Sequence, residues 1–501
     1  MTELLDHLAI GFSLALSLEN LFYCFTGALI GTLIGVLPGI GPLATVALLL
    51  PITFTLEPVS SLIMLSGIYY GAQYGGSTTA ILVNLPGEAS AVVTTLDGHQ
   101  MARQGRAGPA LAIAALASFF AGTVATIMIA TLALPLAGVA LRFGPADYAG
   151  LMIFGLIGAV VLASGSLPKA IAMVFVGLLL GLIGIDINSG AMRYTFGLPP
   201  LTDGINFVAL AVGLFGLGEI IRNLEGSGQP SVLSGKIGRL MPSWSEIKQS
   251  FPAAVRGTFV GSLLGVLPGG GATLGSFASY ALEKKVARDP SRFGTGAIEG
   301  VAGPEAANNA GAQGSFIPML TLGIPANAVM ALIIGALTIQ GIQPGPRVMQ
   351  AEPELVWGLI ASMWLGNLML LVINLPLIGL WVRLLKVPYR LMFPAIIIFC
   401  AVGAFTINNS TFDIYMTALF GLLGYFFLKV GAEAAPLILG FVLGPLLEEN
   451  VRRALIFSRG DPMTFLDNPI CAVFLALSAL LLLMMAVPHL RRGRREAFRE
   501  E

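Results

Sequence analysis

Charged residues cut this chain into long apolar stretches. Asp, Glu, Lys and Arg are absent from residues 20–56, 58–87, 107–141, 148–168, 170–185, 257–282, 306–346, 355–382, 391–412 and 468–490, with shorter gaps at 205–218, 414–428 and 434–447. A helix needs about 20 apolar residues, rising about 1.5 Å each, to cross a hydrocarbon core about 30 Å thick. With 56% hydrophobic and 11% charged residues, a soluble fold would have too little polar surface to cover its exterior. The expected class is an all-α polytopic membrane protein. The longest stretches hold more than one element each, which gives about 12–14 membrane segments at this span length. A β-barrel would instead show short strands of alternating polarity.

Lys+Arg and Asp+Glu balance at 27 each, so nothing points to nucleic acid. Residues 1–11 have no basic residue and carry Glu3 and Asp6, which does not fit a cleaved secretory signal, so the first segment is expected to stay. Cys24, Cys400 and Cys471 are scattered through apolar stretches with no C-x-x-C pair and read as packing residues. His7, His99 and His489 are mutually remote and outside the apolar spans, which leaves little for a zinc site or a catalytic triad. No enzymatic activity is expected, and no cofactor beyond a coupling cation.

The basic residues set orientation. The first is Arg103, whereas the end reads Arg491-Arg492-Gly493-Arg494-Arg495; the positive-inside rule puts that tail, 491–501, in the cytoplasm. Basic clusters also lie at 222–256 (Arg222, Lys236, Arg239, Lys248, Arg256), 284–292, 383–390 and 452–459. Only one uncharged stretch, 257–282, separates two of them, so it should enter and leave on one side. Pro268-Gly269-Gly270-Gly271 divides it into two arms of about 11 residues, each about 16 Å of helix, which reaches the midplane without crossing. Proline followed by glycines breaks a helix. Backbone freed at that depth must be buried in protein or line a watery cavity.

The same phrase occurs earlier. Gly27, Gly31, Gly35, Val36, Leu37, Pro38, Gly39 and Gly41 match Gly257, Gly261, Gly265, Val266, Leu267, Pro268, Gly269 and Gly271 at a constant offset of 230 residues. A looser pair follows: Gly71-Ala72-Gln73 before Asn84-Leu85-Pro86-Gly87, and Gly311-Ala312-Gln313 before Gly323-Ile324-Pro325-Ala326. The chain therefore reads as two homologous halves, 1–222 and 257–490, joined by a basic cytoplasmic linker, 223–256. The first hairpin is flanked by Glu19 and Glu57 and by no basic residue, the second by basic loops, so the two should enter from opposite faces. Inverted repeats with broken re-entrant helical hairpins are the architecture of secondary transporters.

Two readings of the glycines stand together. G-x-x-x-G at Gly27-Gly31-Gly35, Gly257-Gly261-Gly265 and Gly177-Gly181 reads as helix packing. A packing face needs a continuous helix, so the tips, near 38–42 and 268–271, read as lining a site.

Residues 31–109 (GTLIGVLPGIGP, GIYYGAQYGGSTTAIL, NLPGE, DGHQMARQGRAG), 261–346 (GVLPGGGATLGSFASYALEKK, EGVAGPEAANNA, IPMLTLGIP, GALTIQGIQPGP) and 194–219 resemble the large membrane subunit of the tripartite tricarboxylate transporter family. Beyond about residue 350 the likeness is mainly in length and apolar character. The resemblance implies secondary-active import of small organic carboxylates across a bacterial inner membrane. It also implies a periplasmic solute-binding protein, a small membrane subunit and a driving cation gradient. One departure is Ala326-Asn327, where the family often has glycine after the second Ile-Pro.

Neutral polar residues cluster beside the breaks. Substrate carboxylates can accept from tip N–H groups, which makes Pro38, Gly39, Gly41, Pro268, Gly269, Gly270, Gly271 and Thr273, with Ser77, Thr78 and Asn84, the expected substrate-binding set. Asn308, Asn309, Glu305, Ser315 and Thr321 offer the hard oxygens that sodium prefers and form the expected cation-binding set. For each single Ser or Thr, Thr79 included, the competing reading is a bond back to its own helix. Glu305, Glu299, Glu88, Asp97 and Glu219 lie at span margins and are further coupling candidates, with sodium and proton both open. A carboxylate-permeable channel, or another transport subunit without ion coupling, is the alternative function; an intramembrane enzyme has no mid-span histidine to work with.

Overall fold

The computed structural model describes residues 2–37, 41–163, 166–186, 189–225, 239–267, 271–385 and 389–486. Pro38, Gly39, Pro268, Gly269, Gly270 and the basic tail at 491–501 lie outside the described residues. Eight helices position the site: α1 (Leu18–Gly35), α2 (Pro42–Thr53), α3 (Pro58–Val83), α4 (Ala107–Ala140), α5 (Trp244–Gly265), α6 (Gly271–Val286), α7 (Glu299–Gly314) and α8 (Pro353–Asn374). The rest of the described residues are helical too, apart from loops and one antiparallel pair in which Gly184 faces Arg193 and Ile185 faces Met192. Among the described residues, five helices are long and apolar enough to cross a membrane, including α1, the helix running through α4, and α8; six shorter helices are apolar as well. The all-α, membrane character follows.

Local chemistry sets the boundaries. Proline starts α2, α3 and α8, where its missing N–H costs nothing and its φ suits the first turn. Ser17 caps α1 through the Asn20 N–H. At α5 the Ser243 hydroxyl accepts from the Glu246 N–H while Glu246 accepts from the Ser243 N–H at 2.8 Å, a reciprocal capping box. That backbone bond, helped by Arg106 at 2.8 Å, holds the Glu246 carboxyl below its ordinary range. The box carries α5 back to Trp244, so this arm has 22 residues rather than the roughly 11 that the uncharged stretch suggests. Arg256 then forks onto Glu283 of α6 at 2.8 and 2.6 Å and pins the base of the second hairpin.

Each hairpin lays its glycine face on the long helix that follows it. A Cβ added to Gly27, Gly31 or Gly35 would lie 2.4, 2.3 and 2.3 Å from the carbonyl oxygens of Met64, Ile68 and Ala72 on α3. Added to Gly257, Gly261 or Gly265, it would lie 2.1, 2.2 and 2.5 Å from those of Gly303, Ala307 and Gly311 on α7. Backbones meet directly there, so the G-x-x-x-G series are packing faces. Gly177 meets the Leu437 carbonyl in the same way, at 2.0 Å. The cysteines are buried and free. Gly31→Ala and Gly261→Ala should each lower stability by about 1–3 kcal/mol through overpacking. Gly138→Ala, with nothing near it, should be neutral or gain up to about 1 kcal/mol. Equal thermal midpoints for all three in detergent would contradict this packing.

Candidate functional site

The site forms where α3 and α7 meet. Glu305 lies on the second turn of α7 and is 1% exposed, so the sequence's placement of it at a span margin is corrected: α7 is buried over most of its length, and its first turns lie inside protein rather than at an edge. One Glu305 oxygen accepts from the Ser77 hydroxyl of α3 at 2.6 Å. The other accepts from Thr94, in the segment that follows α3. Among the described residues, no Lys, Arg or His pairs with it. Next to it, Asn309 donates to the Ser118 hydroxyl of α4 at 2.7 Å and to the Glu305 carbonyl at 3.1 Å. Asn308 donates to Glu88 at 3.0 Å, and its own side-chain oxygen is buried without a partner.

Glu88 connects this cluster to the first hairpin. It follows Leu85-Pro86-Gly87, and a Cβ on Gly41 would sit 3.4 Å from the Gly87 carbonyl and 4.0 Å from the Glu88 side chain. Gly87 itself is wedged between Gly76 and the Gly35 carbonyl, where a Cβ would come within 2.5 and 2.9 Å. Two members expected in different sets, Ser77 for substrate and Glu305 for cation, thus share one hydrogen bond.

Other expected residues are placed differently. Thr78 lines a cavity beside Glu305 and points its hydroxyl back to the Tyr74 carbonyl at 3.4 Å. Thr79 donates to the Val36 carbonyl at the end of α1 at 2.8 Å. Asn84 ends α3 in the left-handed region at φ 60° and is exposed, a conformation asparagine tolerates. Ser315 and Thr321 donate to carbonyls of their own helical turns, Ala312 and Ile317. Gly271 begins α6 buried against Gly265, and Thr273 is half-buried two residues on. Glu299 pairs with Arg292 at 2.7 Å and Glu219 lies 3.9 Å from Arg222.

Asp97 is fully buried, also against the expectation of a margin position. One of its oxygens accepts the N–H groups of Gly294, Gly296 and Ala297, each at 2.8 Å, and the other accepts from the Tyr280 hydroxyl at 2.9 Å. Those amides precede α7, so Asp97 sets where α7, and with it Glu305, begins. The donors already surround this carboxylate, which makes it a strut.

The cavity holds about 20 Å³, and its polar lining is Tyr74, Ser77, Thr78, Ser118, Glu305 and Asn374. Space of that order fits about one water or ion. Thr94, Ser118, Tyr74 and Asn374 were missed by sequence reasoning, which looked beside the helix breaks. A usable signal existed for Ser118 and Asn374: each is a polar side chain inside a charge-free stretch, and Asn374 stands two residues before Pro376.

The model of the tripartite tricarboxylate transporter TctA family matches residues 21–439. An uncharacterized 52.8 kDa protein in the TAR-I ttuC' 3' region of Agrobacterium vitis is 58% identical over 501 residues, covering all of both chains. An uncharacterized protein in the TAR-II ttuC' 3' region of the same organism is 59% identical over 241 residues, which is 48% of this chain and all of that one. No solved structure matches.

Asp97→Ala would remove the shared acceptor of three N–H groups, one of them on the buried Ala297, so it should cost about 1–3 kcal/mol, read as a drop in thermal midpoint. Asp97→Asn keeps an acceptor for those amides and should cost clearly less; equal losses would count against the strut.

Proposed function

Since the chain belongs to the tripartite tricarboxylate transporter TctA family, a family of membrane transporter components, we propose that it is the large subunit of a secondary-active importer of small organic carboxylates in a bacterial inner membrane. In this reading a periplasmic solute-binding protein delivers the substrate, a small membrane subunit accompanies this chain, and a cation gradient drives uptake. The two hairpins enter the bilayer from opposite faces as parts of inverted repeats, in keeping with the basic clusters that flank only the second. The C-terminus is cytoplasmic.

The observation that carries the reading is the buried Glu305 carboxylate, bonded to Ser77 and Thr94 and without a basic partner among the described residues. Structural carboxylates at such depth are normally paired; an unpaired one inside a membrane protein is a coupling candidate. The hairpins add an anion site. The second arms, α2 and α6, begin at the tips, and α2 starts from Gly41 with no side-chain cap. Free N–H groups and the positive end of the helix dipole suit a substrate carboxylate there, with the tip glycines and Thr273 nearby in sequence. Movement of the hairpin-bearing part gives alternating access.

The test is uptake of labelled citrate, with dicarboxylates as competitors, into vesicles holding this chain, its small subunit and the binding protein. Accumulation above equilibrium under an imposed sodium or proton gradient is expected; passive equilibration alone would favour the channel. Gly41→Val, which meets no backbone closer than 3.4 Å at its Cβ, should raise the half-saturating substrate concentration at least several-fold without loss of folded protein. Unchanged uptake by a well-expressed variant would remove that tip from the site.

A further inference from the structure

We propose that the cavity beside Glu305 is a monovalent cation site suited to sodium, with Asn374 as a ligand that closes it from α8. The proposal rests on the transport reading for its role in coupling, though binding itself does not depend on that reading.

Three features point to a cation. Glu305 brings a negative charge that no basic side chain offsets among the described residues. Asn374 is 5% exposed and lines the same cavity. Its amide nitrogen is spent on the Leu370 carbonyl at 2.9 Å, which leaves its side-chain oxygen buried without a partner. Asn374 is also the last residue of α8, a helix of 22 residues, so the negative end of that helix dipole faces this region. An anion would be repelled by all of these groups.

The donor set and size narrow the ion. Every polar group on the wall can present oxygen: the Glu305 carboxylate, the Asn374 amide and the hydroxyls of Tyr74, Ser77, Thr78 and Ser118. Hard oxygen ligands select hard cations, and the divalent ones are usually held by several carboxylates. Here one carboxylate faces the cavity, which matches a single positive charge. A space of about 20 Å³ holds about one small ion or water and is far too small for a tricarboxylate, so substrate and cation occupy separate places. Ser77 comes from α3, Glu305 from α7 and Asn374 from α8, so an ion here draws together three helices that are distant in sequence.

The experiment is thermal unfolding of the purified full-length protein in detergent, titrated with NaCl at constant ionic strength against choline chloride, and separately with KCl. Sodium should raise the midpoint saturably, with potassium at least tenfold weaker. Glu305→Gln should abolish the sodium effect, and Asn374→Ala, which leaves Glu305 and its hydroxyl donors in place, should raise the half-saturating sodium concentration at least tenfold. Thr131→Ala, an exposed hydroxyl on α4, should behave as wild type. Sodium stabilisation intact in both site variants, equal stabilisation by choline or potassium, or a midpoint that follows pH alone would each overturn the site. Sodium binding that is retained while vesicles fail to accumulate carboxylate would instead count against the transport reading.

Discussion

Direct contact between helix backbones is the constraint on which the rest of this structure depends. Gly27, Gly31 and Gly35 place α1 against the carbonyls of α3, and Gly257, Gly261 and Gly265 place α5 against those of α7. In lipid there is little hydrophobic gain from bringing apolar helices together, so close van der Waals contact must hold them. A side chain at any of these positions would push the hairpin arm away from the helix that carries Ser77 or Glu305. The site geometry is therefore inherited from glycine spacing.

Within that frame a few buried polar links decide how α3, α4, α7 and α8 register. Tyr74 donates to Asn367, Thr126 to Gln313, Asn309 to Ser118, and Asn367 to the Phe119 carbonyl. Each joins segments more than a hundred residues apart, and each is expensive to leave unmade in an apolar interior. The two buried carboxylates differ in what surrounds them. Asp97 is enclosed by three amide N–H groups and a phenol and needs nothing more. Glu305 has two hydroxyls and a small polar cavity, so its charge has no fixed partner. Residue type alone does not separate a strut from a binding group; the number and kind of donors does.

The helical class and the hairpin breaks were legible because proline, glycine and the absence of charge act locally. The packing role of the G-x-x-x-G series was equally legible, since small residues at that spacing share one helix face. Glu305 and Ser77 were both visible as candidates, but in separate sets, because nothing in a linear chain pairs residues 228 positions apart. Thr94, Ser118 and Asn374 carried weaker signals: a lone hydroxyl or amide in an apolar run commonly bonds its own helix, as Ser315 and Thr321 do. Asp97 and Glu305 were misplaced at span edges for a related reason. Counting charges along the chain locates where apolar stretches end, while burial depends on what else packs over that point.

By itself the sequence determined the membrane setting, the two glycine-faced helices and the family, since each follows from composition, spacing or motif along one continuous stretch. Only the tertiary structure decided that Ser77, Thr94 and Glu305 form one cluster, that Asp97 anchors the start of α7, and that Asn374 looks into the same cavity. These are contacts between helices remote in the chain. Their existence depends on how close two backbones can approach and on which buried donors remain to be satisfied, and neither quantity is defined until the helices have packed.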